Sequence, residues 1–188
     1  MNGTIHIEAF YRIFRDISTS VHSSTDIKEV LGLVVRKSTE VVNAKGAILR
    51  VLNLETNELE FTAAHGLSKE YLSKGHVAST DLITDLCRQK KVVIIQDAQT
   101  DSRVQFPREA EREGIRMMLD FPLVMETNLI GILRIFSGEK REFSDEELEF
   151  LLSISEQCAL AVDKAYLIEK QKSQYDQLAL QTEKMSAL

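Results

Sequence analysis

Two arginines interrupt runs that otherwise read as the inside of a sheet. In LIGILRIF (129–136) every residue but one is apolar or glycine, and the exception, Arg134, is a permanent cation. ILRVL (48–52) sets Arg50 at the same place in a second apolar run. A guanidinium buried without a counter-charge is strongly destabilising. If both arginines point into one cavity, they call for a carboxylate, phosphate or other anion, held through the planar fork of N–H donors. The competing arrangement lays each stem along the sheet, with its head in water or paired with a loop acid such as Asp97.

Other reactive residue types are scattered. His6, His22, His65 and His76 have no close metal-ligand spacing, so no metal site is expected. His65 ends an apolar stretch at the expected mouth of a cavity, where it could be an axial haem ligand or a loop histidine bonded to backbone. Asp97 and Asp101 suit acid–base work or the local hydrogen bonds of a turn. Cys87 has Arg88 beside it, which favours thiolate, but its spacing also fits a buried position on an amphipathic helix. Cys158 falls near an apolar helical stripe and reads as structural. No GxxxxGK[ST], HExxH, CxxCH or GxSxG string occurs. No residue is assigned a catalytic role, and no cofactor is named.

The 188 residues suit one domain with helical extensions, and 44% hydrophobic with 28% charged residues is the balance of a soluble globular chain. A net charge of −6 supplies no basic field for nucleic acid, so that partner is excluded. Apolar runs fall well short of the ~20 residues that span a bilayer, so membrane insertion is not expected. Two cysteines without CxxC spacing and no signal-peptide pattern point to the cytoplasm.

The elements that would position these groups follow from periodicity. Ile7, Phe10, Phe14, Ile17 and Val21 fall at alternating steps of three and four, a narrow helical stripe that fits either a helix on its own domain or a dimer seam. Asp26, with Glu29 three residues on, caps a second helix that buries Ile27, Val30, Leu31, Val34 and Val41. The period then becomes two: residues 47–53 and 58–64 form a hairpin. Ser79 or Thr80 starts a short helix carrying Leu82, Ile83 and Leu86, followed by a strand at 92–95 and a short helix from Pro107 to the stop at Gly114. A second hairpin turns at ETN (126–128).

With a two-residue turn there, Met117, Leu119 and Phe121 share a face with Ile130, Ile132 and Arg134. Met118, Asp120 and Pro122 then share the other with Gly131, Leu133 and Ile135, which excludes Asp120 as the partner of Arg134. Both faces are mainly apolar, so both must be covered. Ser144 opens the longest helix, with Leu148, Leu151, Leu152, Ser155, Ala159, Val162 and Tyr166 on one stripe. Past Tyr166 the chain turns polar, with a weak heptad of Ile168, Tyr175, Leu178 and Met185.

The strings AAHGLS, VVIIQDAQTDSR, EREGIRMMLDFPL, LIGILRIF and REFSDEELEFLLSISEQCALAV, in this order over about 26–168, resemble a GAF domain. The resemblance implies an α+β fold: a central antiparallel sheet of five or six strands, N- and C-terminal helices packed on one face, and loops and short helices from about 67 to 115 closing a pocket on the other. It divides the chain into an N-terminal helix (1–24), a sensor domain (25–168) and a C-terminal helical extension or signalling linker (169–188).

The expected ligand set is Arg50, His65, Leu86, Asp97, Met117, Leu119, Phe121, Ile132 and Arg134, for a small molecule with anions among the candidates. Such domains often dimerise through their first and last helices and serve histidine kinases, cyclic-di-nucleotide enzymes or transcription activators. SGEKREFSDE (137–146) departs from the cyclic-nucleotide-binding signature, the cysteines do not form the cluster of the sulfoxide reductases, and DLCRQ (85–89) does not match a bilin-attachment site. The expectation is a non-enzymatic sensor in signal transduction. The alternatives are a structural dimerisation module whose pocket is filled by its own Met and Phe side chains, and a thiol-based methionine sulfoxide reductase.

Overall fold

Helix ends are written in local hydrogen bonds. The Asp26 carboxylate accepts from the backbone N–H groups of Lys28 and Glu29 at 2.9 and 3.3 Å, so α2 (Ile27–Val41) starts where its cap dictates. Ser144 and Glu147 form a reciprocal capping box at 2.9 and 3.2 Å and open the last helix, α5 (Asp145–Ser186). Between them lie β1 (Gly46–Asn53), β2 (Glu58–His65), α3 (Lys69–Leu72), β3 (Val93–Ile95), α4 (Pro107–Glu113), β4 (Met117–Met125) and β5 (Asn128–Ser137), all preceded by α1 (Asn2–Ser23). The structure is a computed structural model describing residues 2–24, 26–53, 56, 58–74, 89 and 91–186. The expected helix from Ser79, with Leu82, Ile83, Leu86 and Cys87, lies outside these residues.

Among the described residues, five antiparallel strands run in the order β2-β1-β5-β4-β3. Helices α1, α2 and α5 cover one face, and their Ile17, Leu31, Val34, Leu151 and Ile154 pack with Leu49, Leu119, Phe121, Leu133 and Ile135 of the sheet. The other face has its own apolar layer, including Ile48, Tyr71, Ile95, Met118, Ile132 and Phe136. This is the two-sided cover that the apolar hairpin required. Helix α1 lies on its own domain: Phe10, Ile17 and Val21 are buried, and the Phe10 ring stacks on Phe150 at 4.6 Å. Ile7 and Tyr11 remain exposed.

The expected parity of the second hairpin is wrong by one residue. Pairing begins Met125↔Asn128 and Val124↔Leu129 but continues Leu123↔Gly131, so Ile130 is an extra residue in β5. Because side chains alternate with period two, that bulge transfers the rest of β5 to the opposite face relative to β4. Asp120 therefore lies opposite Arg134, while Met117, Leu119 and Phe121 sit beneath the helices with Leu133 and Ile135. Gly131 beside the bulge is required by space, since a Cβ there would stand 2.5 Å from the Arg50 carbonyl oxygen.

Candidate functional site

The sheet face away from the three long helices gathers the charged groups. Arg134 sits in register with Ile48 on one neighbouring strand and Asp120 on the other. Its Nε and Nη2 donate to the two carboxylate oxygens of Asp120 at 2.5 and 3.0 Å. The Asp120 side chain is 0% exposed and that of Arg134 14%, so the pair is a buried bidentate bridge. Arg50 is opposite Ile132, two residues before Arg134 on β5, and so shares this face.

A contact between distant segments brings in a third cation. The N–H and hydroxyl of Ser68 both donate to the Glu113 carboxylate, at 2.9 and 2.5 Å, fastening α3 to the end of α4. The Ser68 hydroxyl also caps α3 by accepting from Tyr71 N–H at 3.1 Å. Tyr71 is thereby buried edge-on against Phe136, ring centres 5.7 Å apart. Lys74 folds back so that its Nζ stands 3.3 Å from the centre of the Tyr71 ring and donates to the Tyr71 carbonyl at 3.2 Å.

The electrostatics follow from that crowding. Burial first, then Arg50 and Arg134, push Lys74 down to about 7, against the pull of Glu113 and Glu109. Burial pushes the Tyr71 hydroxyl up to about 12, although the two guanidiniums oppose it. Two guanidiniums, the Lys74 amine and the Asp120 carboxylate thus lie on the same side of the sheet as Ile132 and Phe136. Lys74 was not legible as a site residue: SKG (73–75) reads as loop, and only its three-residue spacing from Tyr71 hints at a shared side.

Of the expected ligand set, Arg50, Ile132 and Arg134 come together on this face. Met117, Leu119 and Phe121 do not, because the Ile130 bulge turns them under the helices. His65 pairs with Ala47 and so belongs to the helix-covered face, where it lines an open groove with Ser24, Lys28 and Arg36. Asp97 is engaged in a turn: it accepts from Gln99 N–H at 3.1 Å and from Lys140 Nζ at 2.5 Å, the lysine being the main reason its carboxyl titrates below the usual range. Asp101 grips the Arg103 guanidinium at 2.6 Å, and that pairing takes its carboxyl down to about 2. Leu86 lies outside the described residues.

Cys158 is 0% exposed, and burial raises its thiol above the ordinary value. Among the described residues, no group of three or more His, Cys, Asp or Glu side chains is placed to hold a metal ion, and no helix is long and apolar enough to cross a membrane.

Residues 24–163 match the GAF domain family. The formate hydrogenlyase transcriptional activator of Salmonella typhimurium is 22% identical over 161 residues, covering 82% of this chain and 23% of the activator. The chain therefore spans about a quarter of that relative's length. The GAF domain of a phosphoenolpyruvate-protein phosphotransferase from Coxiella burnetii superposes with a TM-score of 0.76 at 22% identity, over 87% of this chain and 98% of that one. Free methionine-R-sulfoxide reductase from Neisseria meningitidis, solved in complex with its substrate, superposes at 0.69 with 13% identity, over 85% and 91%. At such identities the structural likenesses establish the fold, and the family match spans most of the sequence: the chain belongs to the GAF domain family, a module found in signalling proteins such as that activator.

Proposed function

We propose that this GAF domain is a non-enzymatic sensor of a small anionic molecule, coupling its binding to a helical dimer interface and from there to an effector such as a histidine kinase or transcription activator. The observation that carries the reading is that Arg50, Lys74 and Arg134 lie near one another on the sheet face opposite the helices, with Arg134 bridged to Asp120. A second observation supports the output side. Helix α5 continues past the folded core to Ser186 and exposes Tyr166, Leu167, Ile168, Tyr175 and Leu178, apolar surface that a second copy of the helix would cover. A ligand shifts such a pair only by its differential affinity for two arrangements, here two registers or crossings of the helices. The domain works in the cytoplasm. The buried, proton-retaining thiol of Cys158 disfavours sulfoxide-reductase chemistry at that residue.

The test is native mass spectrometry of freshly purified protein, followed by calorimetry of the wild type and Arg50→Met against a metabolite library. A retained or titrated anion that Arg50→Met binds at least tenfold more weakly is the expected result. Identical ligand profiles overturn the reading.

One observation favours the structural alternative, a dimerisation module with a filled pocket: Tyr71, Met118 and Phe136 already occupy much of this face. A protein that dimerises through α5 but binds no library member fits that alternative.

A further inference from the structure

Crowding explains some glycines of this chain: a Cβ at Gly46 would stand 2.6 Å from the His65 carbonyl oxygen, and one at Gly131 2.5 Å from that of Arg50. Gly32 has no such reason. It lies inside α2, where glycine is less stable than alanine, and a Cβ there would meet nothing within 4 Å. A second chain crossing close to the helix at this point would account for the missing side chain. Gly32 lines the open groove, about 610 Å³ in volume, that runs from the end of α1 along α2 to His65 at the end of β2. Lys28 and Arg36 lie four residues to either side of it on the same stripe of α2, both exposed and both lining the groove. Two cations thus stand about 12 Å apart along the helix axis, with bare backbone between them.

The acids around these cations are fewer or already engaged. Glu29 is the one carboxylate among the described lining residues. Asp26 is turned to the first amides of α2, and Glu40, one turn beyond Arg36, is bonded to Lys37 at 3.0 Å. Ser20, Ser23 and Ser24 at the end of α1 complete the wall with hydroxyl groups. On a chain of net charge −6, this is a local surplus of positive charge. We propose that the groove docks an acidic polypeptide segment of a partner protein, laid extended across Gly32 with one carboxylate on Lys28 and another on Arg36. An extended chain advances about 3.3 Å per residue, so acids four positions apart match the span between the two cations. The docked segment lies beside Ser24, whose carbonyl accepts from Lys164 Nζ at 3.1 Å, and so beside the point where α5 leaves the core. The groove is on the helix-covered side of the sheet, so the proposal stands or falls apart from the anion reading above.

The experiment titrates the full chain at low ionic strength with a short fluorescent poly-glutamate peptide, with poly-glutamine and poly-lysine peptides of the same length as controls. Anisotropy gives the affinity, and amide shifts of isotope-labelled protein give the place. Poly-glutamate should bind and shift the amides of Gly32, Ser24 and His65 most. Replacing both cations, Lys28→Gln with Arg36→Gln, should weaken it by about tenfold. Gly32→Ala should raise the urea midpoint, because the new methyl meets open space, and yet bind the peptide severalfold more weakly. Weaker binding by a more stable variant is not a folding defect. Poly-glutamine or poly-lysine binding as tightly, amide shifts centred elsewhere, unchanged affinity in either variant, a lowered midpoint for Gly32→Ala, or no binding of poly-glutamate each overturns the proposal.

Discussion

Asp120 and Arg134 lie directly opposite each other on adjacent strands and meet through two hydrogen bonds, with the carboxylate sealed from solvent. The pairing exists because of one extra residue, Ile130, ten positions from Asp120 along the hairpin. Removing one partner strands the other charge, so Arg134→Met should cost about 3–5 kcal/mol. Adding Asp120→Leu to it should recover much of that loss. Urea unfolding of the two single variants and the double variant measures both steps; a double variant as unstable as the sum of the singles contradicts a coupled pair.

Gly131→Ala should destabilise by about 1–3 kcal/mol, the range typical of forced overpacking. The new methyl meets backbone of β1 that cannot rotate away, at 2.5 Å from the Arg50 oxygen. The same change should weaken anion binding by displacing Arg50. Chemical denaturation and calorimetry on one sample report both effects, and a variant of wild-type stability would contradict the close approach of β1 to β5 at Gly131.

The pH dependence of stability carries a mark of Lys74. A lysine whose folded value is depressed to about 7 leaves the unfolded chain holding more protons between that value and the ordinary lysine range. Its contribution to stability is full above the unfolded value and is lost as pH falls toward 7. Lys74→Met should therefore be relatively more stable than the wild type at neutral pH, with the gap narrowing as pH rises toward 10. Unfolding curves at several pH values check the sign; a gap that widens with pH contradicts the placement of the amine.

Lys164 donates from Nζ to the carbonyls of Val21, His22 and Ser24 at 3.0, 3.0 and 3.1 Å, closing the end of α1 with one ammonium on α5. Lys164→Met should cost about 1.5–3 kcal/mol, the usual worth of hydrogen bonds to a charged group. Hydrogen exchange should rise first in the last turn of α1 and the segment leading to α2. Unchanged protection there would show that apolar packing alone seats α1.

Cys158 should be inert toward a thiol reagent in the native protein and react only on unfolding, because it is fully buried and its thiol resists ionisation. Rapid labelling of Cys158 under native conditions, followed by peptide mapping, would reopen the thiol-enzyme reading.

The order of elements was legible because each is announced by nearby residues: Asp26 and Ser144 at helix starts, Pro107 and Gly114 bracketing α4, and a change of period at the hairpins. The facing of side chains was less legible, because it depends on single-residue irregularities. Ile130 has no local marker except the adjacent Gly131, and its effect is to exchange the expected lining of Met117, Leu119 and Phe121 for the ion pair of Asp120 with Arg134. In β2 the register also shifts, leaving Thr62 as the extra residue and His65 opposite Ala47. Lys74 was hidden for another reason: its position depends on Ser68 meeting Glu113 across 45 positions of chain, and no local pattern encodes such a meeting.

Helix α5 is a single rod of 42 residues, and at 1.5 Å per residue it measures about 63 Å. Its first half is clamped in the core, and Lys164 marks where the grip ends. The remaining length projects roughly 30 Å, so a tilt of about 5° at the clamped end sweeps the tip through nearly 3 Å. The helix is geared: a displacement too small to disrupt the packing around Ile154 and Cys158 is multiplied along the free length before it reaches Ser186.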